Sequence, residues 1–407
     1  MRVVVQKFGG TSVANLECME KVRSKVMRAL GQGQKVVVVL SAMSGETNRL
    51  IDMARTWNDM PDPAEMDVLL NTGEQTSTAL FTMLLHRHGV KARSFLGHQI
   101  PIRTDRDFGK ARILDINRDC FRQHLENYDV LVVAGFQGTD CEQRLTTLGR
   151  GGSDTSAVAI ASALNANLCE IYTDVEGVYT SDPNICADAR KISKISYDEM
   201  LEMASMGAKV LQIRSVEFAK KYHVPIMVKS TFTENSGTLV TQEDEEMESA
   251  MVSGVAYDKD QALVTLIDVY DEPGVAAHIF EPLSAANIVV DMIVQNPSRE
   301  GRTDMTFTVP RGNLEETGHI LANLKEEIGA REIIRDPQVS KVSVIGVGMR
   351  NHAGVASIAF SALRNENINI LIISTSEIKI SCLIESKYTE LAVRTLHEAF
   401  GLNHAQA

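Results

Sequence analysis

Over about the first 240 residues, hydrophobic positions gather in short unbroken runs rather than in alternation. The runs fall at 3–5, 35–40, 130–134, 168–173 and 225–228, and Val36, Val37, Val38 and Val39 typify their β-branched content. Such runs predict strands buried on both faces. Between them, stretches such as 12–30 and 76–88 have helical character. The alternation predicts an α/β domain with a mainly parallel sheet sandwiched by helices. In such sheets ligands bind beyond the carboxyl ends of the strands, so candidate chemistry is sought there.

Past an acidic run at 242–248, read as a solvated linker, the pattern changes and then repeats. Residues 274–293 align with 354–373 at an offset of 80. Eight of the 20 positions are identical: Gly274/Gly354, Val275/Val355, Ala276/Ala356, Phe280/Phe360, Leu283/Leu363, Asn287/Asn367, Ile288/Ile368 and Ile293/Ile373. Two copies of one small module are expected. Each reads strand, helix, strand, strand, helix. The first copy runs 263–269, a helix from 275, 288–294, 303–309 and 314–327. The second runs 342–347, 355–366, 368–373, 378–385 and 388–400. This is the ferredoxin-like βαββαβ order. The expected domains are therefore 1–245, 263–336 and 342–407. Each module has a bare sheet face and edge, which predicts pairing within or between chains.

At 407 residues the chain is too long for one ordinary core, in keeping with several domains. A net charge of -12 and a pI near 5.4 exclude the basic face that nucleic-acid and membrane-surface proteins need. Cys18, Cys120, Cys141, Cys169, Cys186 and Cys382 form no C-x-x-C pair and no metal-finger spacing. His86 and His88 are two apart and do not share a helix face, so no metal site is expected. The chain opens directly into a strand, and no apolar run reaches the roughly 20 residues needed to span a bilayer. A cytoplasmic protein with reduced thiols is expected.

Two loops carry the candidate chemistry. The first is Lys7, Phe8, Gly9, Gly10, Thr11, Ser12, between a strand and a helix. Gly9 and Gly10 let backbone N–H groups aim at an anion, Thr11 and Ser12 are expected caps, and Lys7 supplies a mobile charge. A plain strand-to-helix turn with a surface lysine is the alternative. The second is Gly149, Arg150, Gly151, Gly152, Ser153, Asp154, Thr155, ahead of a helical run at 156–165. The Arg150 fork suits a carboxylate or phosphate, and Asp154 is either a ligand organiser or a helix cap. Two glycine-rich anion loops on one sheet point to a phosphorylated ligand. Neither matches G-x-x-x-x-G-K-[ST] or G-x-G-x-x-G. Ser41, Thr47, Thr173 and Asp174 cluster near strand ends, and Glu74 sits in a string, Asn71 to Gln75, that reads as a helix start.

Together these strings resemble the aspartate kinases of the amino-acid kinase superfamily. The matching segments are 7–13, 41–48, 72–78, 149–157, 173–183 and 196–217, and the last separates aspartate kinases from kinases acting on acetylglutamate, glutamate or UMP. The tail repeats resemble paired ACT domains. Glu176 stands where the family often has aspartate. The resemblance implies ATP as co-substrate with Mg²⁺, and L-aspartate as the phosphoryl acceptor at the start of lysine, threonine and methionine biosynthesis. It implies Lys7, Gly9 and Gly10 as a phosphate cradle and Ser41 near the transferred group. Thr47, Glu74, Arg150 and Ser153 would hold the amino acid, with Glu74 on its ammonium, while Asp154 organises Lys7 or magnesium. Thr173, Asp174, Tyr179, Asp182 and Lys209 would line the nucleotide site.

For the tail, the resemblance implies a feedback site for lysine, threonine or both, between paired modules. Gly274, Val275, Asp271, Asp291, Gln295 and Asn296 are its candidates in one copy, and Gly354, Val355, Asn369 and Ile370 in the other. A homo-oligomer is implied, and an internal start at Met247 or Met251 would give a separate regulatory subunit. The alternatives are another carboxylate-acceptor amino-acid kinase and a non-catalytic amino-acid sensor.

Overall fold

The computed structural model describes residues 2–206, 210–297 and 300–404. They divide into two compact units, one drawn from 2–179 and 191–247, the other from 180–190 and 248–404. Residues 180–190 leave the first unit to pack within the second.

The first unit is built on an eight-stranded sheet. Its spatial order is Lys194–Ser196, Thr238–Thr241, Ile226–Ser230, Cys169–Thr173, Val3–Phe8, Lys35–Leu40, Val130–Ala134, Ala92–Phe95. Only the Ile226–Ser230 and Thr238–Thr241 pair is antiparallel. Val36 to Leu40 and Val130 to Ala134 are buried throughout, as unbroken apolar runs in a doubly covered sheet require. From Val3–Phe8 the chain winds outward through Lys35–Leu40, and later strands continue from the opposite flank at Cys169–Thr173. The ends of Val3–Phe8 thus form a topological switch point.

A small four-stranded sheet, Ile113–Ile116, Ile102–Thr104, Gln137–Thr139 and Leu145–Thr147, accompanies the main one. Its strands span three or four residues each, too short to leave a periodic signal.

The helices differ from expectation at their starts. The first loop passes into a 3₁₀ turn, Gly10–Val13, and the α-helix Leu16–Gly31 begins later, capped by Asn15 accepting from the Cys18 amide at 2.9 Å. Ser12 therefore caps nothing. Its hydroxyl is buried 2.7 Å from that of Thr231. The helix expected at 76–88 runs Pro63–Arg87, so Glu74 lies mid-helix rather than at a start.

The second unit holds a six-stranded antiparallel sheet in the order Ile293–Gln295, Arg302–Val309, Gly254–Tyr270, Glu332–Ile345, Lys379–Glu385, Ile370–Thr375. Two long strands pass through both repeats. The beginning of Gly254–Tyr270 pairs with 341–345, while its remainder pairs with 302–309 and 332–336. The core of the second repeat accordingly contains Val252 and Val255 beside Val342, Val355, Leu363 and Ile380. One module is not contiguous in sequence. It borrows a strand from ahead of the other.

Candidate active site

Three segments converge at the carboxyl rim of the main sheet. The amide of Ser41 donates to Phe8 (3.2 Å), that of Gly9 to Tyr172 (3.3 Å), and that of Gly135 to Leu40 (2.9 Å). Beyond this rim lies a cavity of about 820 Å³ whose lining includes Lys7, Gly10, Ser41, Thr47, Glu74, Arg150, Ser153 and Asp154. The two glycine loops, expected to share one ligand, thus face the same space.

At its centre, Lys7 Nζ lies 2.6 Å from Asp154 Oδ1, with both side chains largely buried. Lys7 reaches up from the first strand. Asp154 stands in the first turn of the helix Gly152–Leu164, whose N-cap is Gly151. Gly149 and Gly151 have φ of 74° and 70°, a region in which a side chain is strained, and a Cβ on Gly151 would lie 1.9 Å from Gln212 Cγ. Gly135, which sequence reasoning missed, lets this helix seat on the strand ends: a Cβ there would stand 2.8 Å from Ser153 Cβ. The helix N-terminus brings unpaired amides and positive potential to the cavity.

The first loop works by close approach. A Cβ on Gly10 would meet the Ala42 carbonyl at 3.0 Å, whereas Gly9 has an ordinary φ of −72°. Because the Gly9 amide is spent on Tyr172, the amides of Gly10 and Thr11, at the start of the 3₁₀ turn, are the ones without an intrahelical acceptor.

The acceptor side is shaped by the helix Pro63–Arg87. Gly73 lets it approach residues 41–42, since a Cβ there would lie 2.9 Å from that of Ala42. Glu74 Oε1 then accepts from the Ala42 amide at 3.0 Å, and Ser77 donates to the Ser41 carbonyl at 2.8 Å. Glu74 Oε2 is buried without a partner, and burial pushes this carboxyl up to about 7. Such a group awaits a donor or cation. Arg150 is exposed at the rim, and no carboxylate pairs with it among the described residues.

The remaining candidates lie elsewhere. Thr173 ends its strand, with its hydroxyl 3.0 Å from Asp174 Oδ1, and neither these two nor Tyr179 lines this cavity. Asp182 belongs to the second unit, where its Oδ2 accepts from the Tyr257 hydroxyl at 2.8 Å. Lys209 lies outside the described residues. In the second unit Gly274 and Gly354 precede the helices Val275–Ala285 and Val355–Asn365 with φ of 103° and 102°. Asp271 Oδ1 accepts from Gln295 at 3.4 Å, and the Asn296 backbone is held at both ends, its amide donating to the Asp304 carbonyl and its carbonyl accepting from the Thr303 hydroxyl. Asp291 already pairs with the buried Lys341. Asn369 is exposed, beside the half-buried Ile370.

Fold and cavity define a class, the amino acid kinase fold, and the model described as the amino acid kinase family matches residues 2–230. Models described as ACT domain match 263–329 and 342–400. The aspartate kinase of Pseudomonas putida is 56% identical over 404 residues, covering 99% of this chain and 98% of that relative. The aspartokinase of Helicobacter pylori is 50% identical over 405 residues, covering 98% of this chain and 100% of its own length. The crystal structure of E. coli aspartokinase III in complex with aspartate and ADP superposes with a TM-score of 0.78 at 27% identity, covering 98% of this chain and 99% of that one. Its complex with lysine and aspartate gives 0.76 at 28% identity, with the same coverage. The chain belongs to the aspartate kinase family, and as a kinase it uses ATP. No helix among the described residues is long and apolar enough to cross a membrane.

Proposed function

We propose that the chain transfers the γ-phosphoryl group of ATP to the β-carboxylate of L-aspartate, giving 4-phospho-L-aspartate, under feedback by lysine, threonine or both through its ACT modules. The observation that carries the reading is the Lys7–Asp154 pair, set between two glycine loops in a cavity that Glu74, with its Oε2 unpartnered, also lines.

The attacking carboxylate has a reference pKa near 4 and is already ionised at neutral pH, so no general base is required. The obstacle is repulsion between anions and charge on the leaving ADP oxygen. Positioning and electrostatic stabilisation supply the rate. Lys7 and the amides of Gly10 and Thr11 neutralise phosphate oxygens beside Ser41. Glu74 takes the ammonium of aspartate, Arg150 its α-carboxylate, with Thr47 and Ser153 alongside. Thr173, Asp174 and Tyr179 carry the nucleotide's far end.

Mg²⁺ keeps several waters and takes one or two carboxylates together with phosphates. Asp154, in the cavity beside Lys7, is the carboxylate that would hold it, and the ion would neutralise charge on the phosphate oxygens. The free cysteines suit a cytoplasmic setting. The edge strands Ile293–Gln295 and Ile370–Thr375 expose Ile293 and Ile373, which supports pairing of ACT modules in a homo-oligomer.

Coupled ADP release with L-aspartate, set against glutamate and acetylglutamate, tests the reading. Aspartate-dependent turnover is expected. Lys7→Ala should lower kcat at least ~10²-fold while the fold survives, the usual loss for one electrostatic donor. Turnover near that of the unaltered enzyme would refute the role of Lys7.

A further inference from the structure

Behind the Arg150 loop sit two charged side chains that the proposed reaction does not use. Asp67, on the helix Pro63–Arg87, is fully buried at the cavity wall. Arg214 lies in the first turn of the helix Ile213–Tyr222 and is partly buried. Neither has a counter-ion among the described residues. Both spend their charge on the backbone of the same two segments.

Asp67 takes the N–H side. Its Oδ2 accepts from the Thr147 amide at 2.8 Å and the Gly109 amide at 3.0 Å. Its Oδ1 accepts from the Thr147 hydroxyl at 2.7 Å and again faces the Gly109 amide at 3.1 Å. Arg214 takes the C=O side, donating through Nη1 to Leu148 at 2.6 Å and through Nη2 to Ala111 at 3.1 Å. Between them the Ala111 amide donates directly to the Thr147 carbonyl at 2.9 Å. Gly149 follows at once, its φ positive, and a Cβ on it would stand only 3.1 Å from the Gly109 carbonyl oxygen.

An anion collecting amides and a cation collecting carbonyls thus fasten residues 109–111 to 147–148 from opposite ends. Hydrogen bonds to charged groups are stronger than neutral ones, and the guanidinium fork spans two carbonyls at once. The clamp ends one residue short of the Gly149 turn that presents Arg150. Among the described residues no side chain pairs with Arg150 to fix it. Its loop must be held from behind.

We propose that Asp67 and Arg214 are a paired positioning device for the acceptor site, setting the Gly149–Gly151 turn so that Arg150 meets the α-carboxylate of aspartate. The proposal rests on the aspartate kinase reading and adds that these residues govern the acceptor rather than the nucleotide. In Asp67→Asn one acceptor becomes a donor facing amides. In Arg214→Lys the charge stays and the two-point grip is lost.

Two measurements on the full chain test this. Steady-state kinetics of Asp67→Asn should show KM for aspartate raised about tenfold or more, KM for ATP within about twofold, and a smaller fall in kcat, since roughly the worth of one charge-assisted bond is lost. Arg214→Lys should move the same constant in the same direction. Equal rises in both KM values, or a fall in kcat alone, would overturn the proposal. Hydrogen exchange is independent of activity: Asp67→Asn should accelerate exchange in 105–112 and 145–152 while 35–40 stays protected. Unchanged exchange in those segments overturns the clamp even if the enzyme proves not to use aspartate, whereas absent aspartate turnover in the unaltered chain would strike the functional reading instead. Should Asp67→Asn fail to fold, Thr147→Val removes a single bond to Asp67. It must then raise aspartate KM severalfold, and an unchanged value refutes the idea.

Discussion

Glu74 carries a pH dependence of its own. Its carboxyl is buried with Oε2 unpartnered, so its folded pKa, about 7, lies above the ordinary 4.5. The folded state therefore holds the proton more tightly, and stability falls as pH rises from about 4.5 to 7, then levels off. The whole cost is on the order of 3 kcal/mol, from roughly 2.5 pH units at about 1.4 kcal/mol each. Glu74→Gln should leave Tm unchanged at pH 5 and raise it at pH 8, as calorimetry would show; a lower Tm at pH 8 would contradict the buried-charge account. If the carboxylate receives the ammonium of aspartate, only the ionised form binds. KM for aspartate should then rise about tenfold per pH unit below 7, and a flat profile between pH 5.5 and 7 would remove Glu74 from that role. Lys7 and Asp154 were legible in sequence because each follows or precedes glycines at a strand end. Asp67 was not, since an isolated aspartate among Met66, Val68 and Leu69 carries no local mark of the four contacts it makes.

Elements were legible where backbone demand and burial left the same trace. The helices Val275–Ala285 and Val355–Asn365 are each followed, two residues on, by an asparagine with positive φ, 56° at Asn287 and 54° at Asn367. In each, the asparagine amide donates back to the helix at 2.9 Å, to Ser284 and Arg364. The following isoleucine amide reaches Leu283 or Leu363, at 2.9 and 3.0 Å. These are Schellman endings, and the leucine, asparagine and isoleucine are three of the eight repeated identities. The repeat is visible because the backbone needs those residues. Asn367→Gly should keep or slightly raise Tm, while Asn367→Val should cost about 1–2 kcal/mol for a β-branched residue held left-handed; equal Tm values for the two variants would contradict this. The start of Pro63–Arg87 hid for the opposite reason. Its inner face carries Asp67, Asn71, Ser77 and Thr78, polar residues that read as turn but are buried against the catalytic loops.

At the scale of the whole molecule, the chain visits its second unit twice. Residues 180–190 contribute the Thr180 hydroxyl, 2.8 Å from His397 Nε2, and the Asp182 carboxylate that accepts from Tyr257. No local pattern announces this. Nor could the strand beginning at Gly254 be assigned to the second repeat, since its partners at 341–345 lie beyond the whole first repeat. Feedback, if the ACT modules exert it, is a matter of coupling free energy and so must be reciprocal. Suppose lysine or threonine weakens aspartate binding by some factor, which such systems place at about 5–150. With a non-hydrolysable ATP analogue held constant, aspartate must then weaken the effector by the same factor. Titration calorimetry of lysine and threonine at saturating analogue, with and without aspartate, measures this without turnover. A matched pair of shifts is expected for the true effector. An effector that inhibits yet binds equally tightly with and without aspartate would not be coupled to aspartate binding, and the reciprocal-affinity account would fail; competition in the cavity beside Lys7 would show instead as complete loss of effector binding once the active-site ligands saturate.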